Sequence, residues 1–366
     1  MTVTEIASEL VRIPSVNPDG DPGTPHTGEA ACAEWLAEFL SAAGAKAELR
    51  EVLPGRPNIV ARFPSDRPGK PRILFAPHTD TVSVVGMTID PFSGAIRDGK
   101  LFGRGATDTK GPMASMLWAL VQAAPFLQTL PYEIWFAGLA GEEAGQHGAK
   151  ALAGQEEFAF VIAGEPTDLN VVHTHKGSAW ITLRASGVAV HASQPDAGVN
   201  AIYKMCEAID AIRQDVIPAL SALFDPVLGH PTASVGTITG GSKVNIVPDS
   251  CQAIVDLRTI PGQDISIVEK LILARVPDIG ISMRGSQPLY TDPSHPLVQA
   301  LQACGAGLVG APWFCDAAIF SGHGCPAVAM GPGSITQAHT CDEFIAVADL
   351  EKGGRFFLDF LNSLNR

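Results

Sequence analysis

The chain has 366 residues, enough for two domains with a large core, and its 46% hydrophobic and 17% charged composition is that of a globular protein. A formal charge of −13 speaks against binding to a nucleic-acid backbone or an anionic membrane and points to a small-molecule partner. Residues 1 to 15 set Glu5, Glu9 and Arg12 among apolar residues, unlike a secretory signal, no apolar run is long enough to span a bilayer, and seven scattered cysteines lack Cys-x-x-Cys spacing, which implies reduced thiols and a cytoplasmic location.

Ile6, Leu10, Val11 and Ile13 recur at helical spacing and stop at Pro14, where residues 14 to 23 read as an irregular loop. A second helix carries Cys32, Trp35, Leu36, Phe39 and Leu40 and ends near Gly44. Strands are predicted over Asn58 to Arg62 and Arg72 to Ala76, the latter apolar enough for burial on both faces, with His78 and Asp80 directly after it. A glycine-lined turn holding Asp108 then opens a helix over 113 to 124, with Pro112 suited to its start. Strand 133 to 139, helix 145 to 153 and strand 158 to 163 follow in the alternation of a doubly wound α/β sheet, where ligands collect at the carboxyl ends of strands. His78, Glu142, Glu143 and Glu165 all stand just past such an end.

The texture changes near residue 178. A strand over 178 to 185, a helix over 197 to 213, strands near 233 to 239 and 251 to 258, a helix over 266 to 275 and a strand at 279 to 283 give the β-α-β-β-α-β order of a ferredoxin-like α+β module. The α/β texture returns after Pro288, with helix 296 to 308, strand 327 to 330 and helix 348 to 364. The expected organisation is a discontinuous catalytic domain, 1–177 with 288–366, and an inserted module at 178–287.

An Asp before a helix is, by itself, a helix cap. Together, however, His78, Asp80, Asp108, Glu142, Glu143, Glu165 and His339 supply the imidazole and carboxylate donors of first-row divalent cations, and so many clustered carboxylates are unfavourable without cations to neutralise them. The local words Pro-His-Thr-Asp-Thr-Val (77–82), Leu-Phe-Gly-Arg-Gly-Ala-Thr-Asp-Thr-Lys-Gly (101–111), Gly-Glu-Glu-Ala-Gly (141–145), Gly-Glu-Pro-Thr (164–167), His-Lys-Gly (175–177) and Gly-Pro-Gly-Ser with Ala-His-Thr-Cys-Asp-Glu (331–343) run through nearly the whole chain. This series resembles the M20-type metallopeptidase and deacylase family that includes acetylornithine deacetylase, succinyl-diaminopimelate desuccinylase and glutamate carboxypeptidases. The resemblance implies a zinc-exopeptidase-like catalytic domain with a lid and dimerisation domain. It also implies two divalent ions, zinc first, with cobalt or manganese suiting the same donors. His78 and Glu165 would bind one ion, Glu143 and His339 the other, and Asp108 both, with a cis peptide between Asp108 and Thr109.

Two such ions bring a charge of about +4 against −3 from Asp108, Glu143 and Glu165, and the surplus favours deprotonation of water. Glu142, adjacent to a ligand yet unable to point the same way, suits the general base, and Asp80 suits the second partner of the His78 ring. In the inserted module, resemblance matches His191 to a lid histidine that stabilises an oxyanion, often from the partner subunit of a homodimer, and Asn245 and Arg258 to residues that grip a substrate carboxylate. An intradomain salt bridge is the alternative for Arg258. The segment Trp313 to Phe320 departs from the desuccinylases, whereas 330 to 344 is closer to acetylornithine deacetylases. The expected function is therefore cleavage of the acyl amide of an N-acyl amino acid. Desuccinylase or glutamate-type carboxypeptidase activity on a short peptide is the alternative within enzymes. A non-catalytic amino-acid-binding regulator is the alternative outside them, against which the retained Glu142 argues.

Overall fold

Residues 72 to 77, Arg-Ile-Leu-Phe-Ala-Pro, form a strand in which every side chain from Ile73 onward is buried, as a strand covered on both faces requires. The computed structural model describes residues 1–20 and 25–365, so residues 21 to 23 of the expected loop lie outside the described residues. Strand Arg72–Pro77 lies between the parallel strands Glu133–Gly138 and Phe160–Gly164, with Leu74 in register with Trp135 on one side and Val161 on the other. Ala327–Met330 extends the parallel set. Antiparallel strands flank it: Arg56–Arg62 and then Lys46–Leu53 on one side, Val171–His175 on the other.

The chain divides into two compact units, one formed by Met1–His173, Tyr290–Val309 and Cys315–Arg366, the other by Thr174–Leu289 with Gly310–Phe314. In the first, helices Val3–Arg12, Lys110–Leu127 and Val347–Ser363 pack together and share a core with the strands. Phe75 meets Phe357 edge to face across that core, with ring centroids 5.9 Å apart. Each fully buried Phe contributes about 1.5–3 kcal/mol, so the strand ends that carry the candidate site rest on a stiff base.

The second unit has its own sheet. Its strands lie in the order Thr232–Gly240, Ser250–Thr259, Gly177–Ser186, Gly280–Ser286, each antiparallel to its neighbour. Ile181, Leu183 and Val255 pack against Met205 and Ile272 from helices Ala201–Ala211 and Ser266–Arg275. Chain order and spatial order together are those of a ferredoxin-like sheet. The fold is α/β with this α+β module, and no helix among the described residues is long and apolar enough to cross a membrane.

Several boundaries differ from expectation for local reasons. The helix expected from 197 begins at Ala201, because Asn200 caps it by accepting from the amides of Ile202 and Tyr203, and Pro195–Ala197 forms a separate tight turn. The helix expected to reach 308 ends at Ala303, since Gly305 takes a left-handed backbone with φ 104° and Leu308–Ala311 continues as a strand. Helix Lys110–Leu127 starts two residues before Pro112, whose missing N–H costs nothing in a first turn.

A buried ion pair joins the second helix to the sheet. Glu29, fully buried at the start of helix Ala30–Ala42, accepts from Nε of Arg56 at 2.8 Å and from Nη2 at 2.6 Å, while Arg56 also reaches Asp19 at 2.7 Å. Burial raises the Glu29 pKa even though the guanidinium beside it works the other way. Removing one partner of such a pair strands the other charge. Glu29→Ala is therefore expected to lower unfolding stability by about 3–5 kcal/mol, read by guanidinium denaturation, and a loss below about 1 kcal/mol would show that the pair is not a structural tie.

Candidate metal centre

The parallel strands all run in one direction, and the candidate residues follow their carboxyl ends. Pro77 and Met330 are both in register with Gly164, so His78 and Glu165 stand one residue beyond a shared edge of the sheet. Glu142 and Glu143 sit in the turn after Glu133–Gly138. Asp108 comes from the loop between strand Lys100–Phe102 and helix Lys110–Leu127. That loop needs glycine at 103, where a Cβ would come within 2.4 Å of the Val11 side chain. The residue that begins the helix is Thr109, with no side-chain cap, so Asp108 is free of the capping role. The Asp108–Thr109 peptide is cis, as the resemblance implies.

Asp108 is where the side chains meet. Its Oδ1 lies 3.1 Å from Nε2 of His78, and its Oδ2 lies 3.2 Å from Nε2 of His339, which is also 3.2 Å from Glu143 Oε2. Two groups of donors result, His78 with Asp108 and Glu165, and Asp108 with Glu143 and His339, each with ligand atoms within 4.8 Å of one another. His339 approaches from a left-handed backbone, φ 63°, which a residue other than glycine adopts only when its surroundings fix it.

Electrostatics point the same way. Burial pushes the pKa of Glu142, Glu143 and Glu165 upward, and repulsion from neighbouring carboxylates adds to it. Asp108 is held well below the usual carboxylate range because its bonds to His339 and His78 outweigh its burial. Those same bonds, with Glu143, lift His339 to about 10. His78 is likewise raised, its bonds to Asp108 and Asp80 overcoming desolvation. The cluster thus draws positive charge onto its imidazoles, and Glu143 Oε1 is buried with no hydrogen-bond partner among the described residues. Imidazole nitrogens, carboxylate oxygens and an unsatisfied buried oxygen form a donor set that fits divalent first-row cations.

Asp80 serves the site differently from expectation. The shorter contact to Nδ1 of His78, 2.9 Å, is made by the Asp80 carbonyl oxygen, while carboxylate Oδ1 is 3.5 Å away. The carboxylate instead accepts the amides of Gly141, Glu142 and Glu143, each at 3.0 Å, and the side-chain amide of Asn17 at 2.7 Å. A turn whose amides converge captures the nearest anion, so Asp80 fixes the glutamate pair while its backbone fixes the imidazole.

The remaining candidates lie in the second unit. The amide of Ala192 donates to Asn245 O at 3.0 Å and His191 bridges to Ile246, so His191 and Asn245 share one neighbourhood, both exposed. Nδ1 of His191 is 2.7 Å from Ser193 Oγ. Arg258 donates through Nε and Nη2 to Asp256 at 2.9 and 3.1 Å, which is the intradomain salt bridge.

Sequence reasoning passed over two acids. Glu343, at the end of a quoted motif, is fully buried and receives the loop that carries Asp108. Asp316 is buried with neither carboxylate oxygen hydrogen-bonded among the described residues, burial raises its pKa to about 7, and it adds to the repulsion on Glu142 and Glu165. The apolar run from Trp313 to Phe320 signals burial of Asp316, whereas Glu343 follows Asp342 and carries no such signal.

Comparison with known proteins matches residues 74–363 to the model of Peptidase family M20/M25/M40. Acetylornithine deacetylase of Proteus mirabilis strain HI4320 is 30% identical over 368 residues, covering 96% of this chain and 93% of that protein. Among solved structures, a tripeptidase from Staphylococcus aureus subsp. aureus mu50 superposes with a TM-score of 0.77 at 22% identity, covering 100% of this chain and 98% of that one. A dinuclear metal-binding peptidase of family M20 from Bacillus subtilis gives a TM-score of 0.68 at 14% identity, covering 98% and 96%.

The amide contacts of Asp80 yield a direct test. Asp80→Ala leaves three turn amides without their acceptor and is expected to weaken zinc retention by roughly 10- to 100-fold in equilibrium dialysis. Unaltered affinity would confine Asp80 to capping the turn.

Proposed function

Because the chain belongs to Peptidase family M20/M25/M40 and is a metal-dependent hydrolase, we propose that it cleaves the acyl amide of an N-acyl amino acid, as acetylornithine deacetylase does, with two divalent ions at the centre described above. One observation carries the reading: a single carboxylate, Asp108, is shared by two donor groups that each include an imidazole and a glutamate. His78, Asp108 and Glu165 would hold one ion and Asp108, Glu143 and His339 the other. Zinc suits these donors, as do cobalt and manganese. When bound, such ions polarise an amide carbonyl and make water more acidic.

The chain's own groups supply the rest. Glu142 is half-buried beside the ligands, and its backbone is pinned by Asp80, so its carboxylate takes the proton of the attacking water and returns it to the leaving amine. His191 donates from the lid to the oxyanion, and the neighbouring Asn245 holds the substrate carboxylate. Arg258 shares in that grip only by loosening its contact with Asp256, which makes it the weaker of the two. The acyl-amino-acid substrate rests on the deacetylase relative, whose match spans nearly the whole of both chains. The scattered cysteines, without Cys-x-x-Cys spacing, and the charge of −13 support a cytoplasmic enzyme that binds neither nucleic acid nor membrane.

A homodimer through the lid completes the proposal. The edge strand Thr232–Gly240 leaves Ile238 exposed, and Tyr203 and Val244 are exposed in the same unit, a combination that favours pairing with another copy.

Glu142→Gln is expected to retain two metal equivalents by mass spectrometry while hydrolysis of N-acetylornithine falls by about three orders of magnitude or more. Near-native turnover would remove Glu142 from the base role. A panel of N-acetyl, N-succinyl and peptide-bonded amino acids tests the substrate class: preference for N-acetyl compounds supports the proposal, and preference for peptide bonds moves the chain to the peptidases. For the dimer, Ile238→Glu is expected to shift the sedimentation mass from two chains to one, whereas a wild-type monomer would exclude the lid interface.

A further inference from the structure

We infer that Glu343 is a positioning residue for the metal centre, the buried carboxylate that ties the loop bearing Asp108 to the loop bearing His339. The inference rests on the two-ion reading above and concerns how this chain holds the second donor group together. Glu343 has no exposed surface. Its Oε1 accepts the amides of Thr107 at 2.9 Å and Asp108 at 3.0 Å, and its Oε2 accepts the amide of Gly105 at 3.1 Å and Nη1 of Arg104 at 2.7 Å. The main chain around it adds further ties, from Gly103 N to Glu343 O at 3.0 Å and from Thr107 Oγ1 to Phe344 O at 2.6 Å. The loop over 103 to 108 is therefore wrapped around one carboxylate, which fills the concavity its amides create.

The other end of the tie is His339, four residues upstream. Its side chain is 53% exposed, the most exposed member of either donor group, and packing alone does not hold it. The segment is anchored just downstream of His339 by contact with the first unit's own loops: Thr88 N donates to Cys341 O at 2.9 Å, and Glu343 grips the Asp108 loop. His78 and Glu165 are set by strand ends and Glu143 by Asp80. Glu343 thus fixes the approach of His339 to Asp108 and does for that half of the centre what Asp80 does for the glutamate turn. Neither acid belongs to either donor group, and both act through the groups they hold.

A structural role would be different in kind: Glu343 would serve only to neutralise the buried Arg104. Two variants separate the cases. Glu343→Gln keeps the shape but turns one acceptor into a donor facing amide N–H groups. Arg104→Gln removes the ion pair and leaves the three amide contacts. Zinc titration by calorimetry on the metal-free full chain, with circular dichroism to verify folding, is the primary readout. Wild type is expected to bind two equivalents. In Glu343→Gln the second equivalent weakens roughly 10- to 100-fold, more than the first, which shares Asp108 but keeps the strand-end donors His78 and Glu165; the visible spectrum of the cobalt-loaded protein changes, and kcat falls with KM unchanged. Arg104→Gln is expected to melt earlier yet bind both equivalents normally.

Wild-type zinc affinities and cobalt spectrum in Glu343→Gln would overturn the inference, as would equal loss of the second equivalent in Arg104→Gln. Should Glu343→Gln not fold, Glu343→Asp carries the test, since it keeps the charge but withdraws it by one methylene: a weakened second equivalent supports the inference and wild-type affinity overturns it. Fewer than two equivalents in wild type would instead overturn the two-ion reading, and this inference with it.

Discussion

Asp108, Glu143 and Glu165 bring three carboxylates to the end of one sheet, with Glu142 beside them, where burial and mutual repulsion raise the pKa of every glutamate in the set. Such a cluster is unfavourable in its ionised form without positive charge beside it, and the first unit supplies that charge and holds the acids in place. His78 and His339 take opposite oxygens of Asp108. The sheet sets the strand-end residues, and the loops are set by acids of their own. A hydrophobic core of Phe75, Phe136, Phe357 and Phe360 stands beneath, so the repulsive centre rests on a part of the chain that cannot relax away from it.

Two acids that hold no ion share the same physics. The Asp80 carboxylate takes three amides and the Asn17 side chain, and Glu343 takes three amides and a guanidinium. Each sits where a loop's N–H groups converge and would otherwise be buried without acceptors, which costs about 1–3 kcal/mol per group. Satisfying the backbone and aiming the ligands are here one operation. Removing either acid therefore perturbs the chemistry through the loop it holds.

Much of this is legible in the sequence because it depends on patterns that residue types report directly. Arg72 to Ala76 reads as a doubly buried strand since its apolar run leaves no exposed face, and the parallel neighbours that flank it carry the same signature. His78, Glu142 and Glu165 are then found by their place after strand ends. The ferredoxin-like order of the second unit follows from alternation in 178 to 185 and 251 to 258, which one-sided sheets impose. What escapes is set by pairing partners. Strand Lys46–Leu53 divides evenly between charged and apolar residues and owes its conformation to hairpin pairing with Arg56–Arg62. Strands Ala95–Arg97 and Lys100–Phe102 are too short to show a period. Glu343 looks like a surface acid beside Asp342, and only the fold reveals that three amides from more than two hundred residues away turn toward it. The sequence suggests a carboxylate-to-imidazole contact for Asp80, whereas the turn amides compete for that carboxylate and the carbonyl makes the shorter contact to the ring.

The central claim is that Asp108 is shared between two ions. Anomalous diffraction at the zinc edge from crystals of the zinc-loaded protein tests it most directly. Two peaks are expected, both within bonding distance of the Asp108 carboxylate, one also beside His78 and Glu165 and the other beside Glu143 and His339. A single peak in fully loaded crystals, or peaks that leave Asp108 untouched, would contradict it.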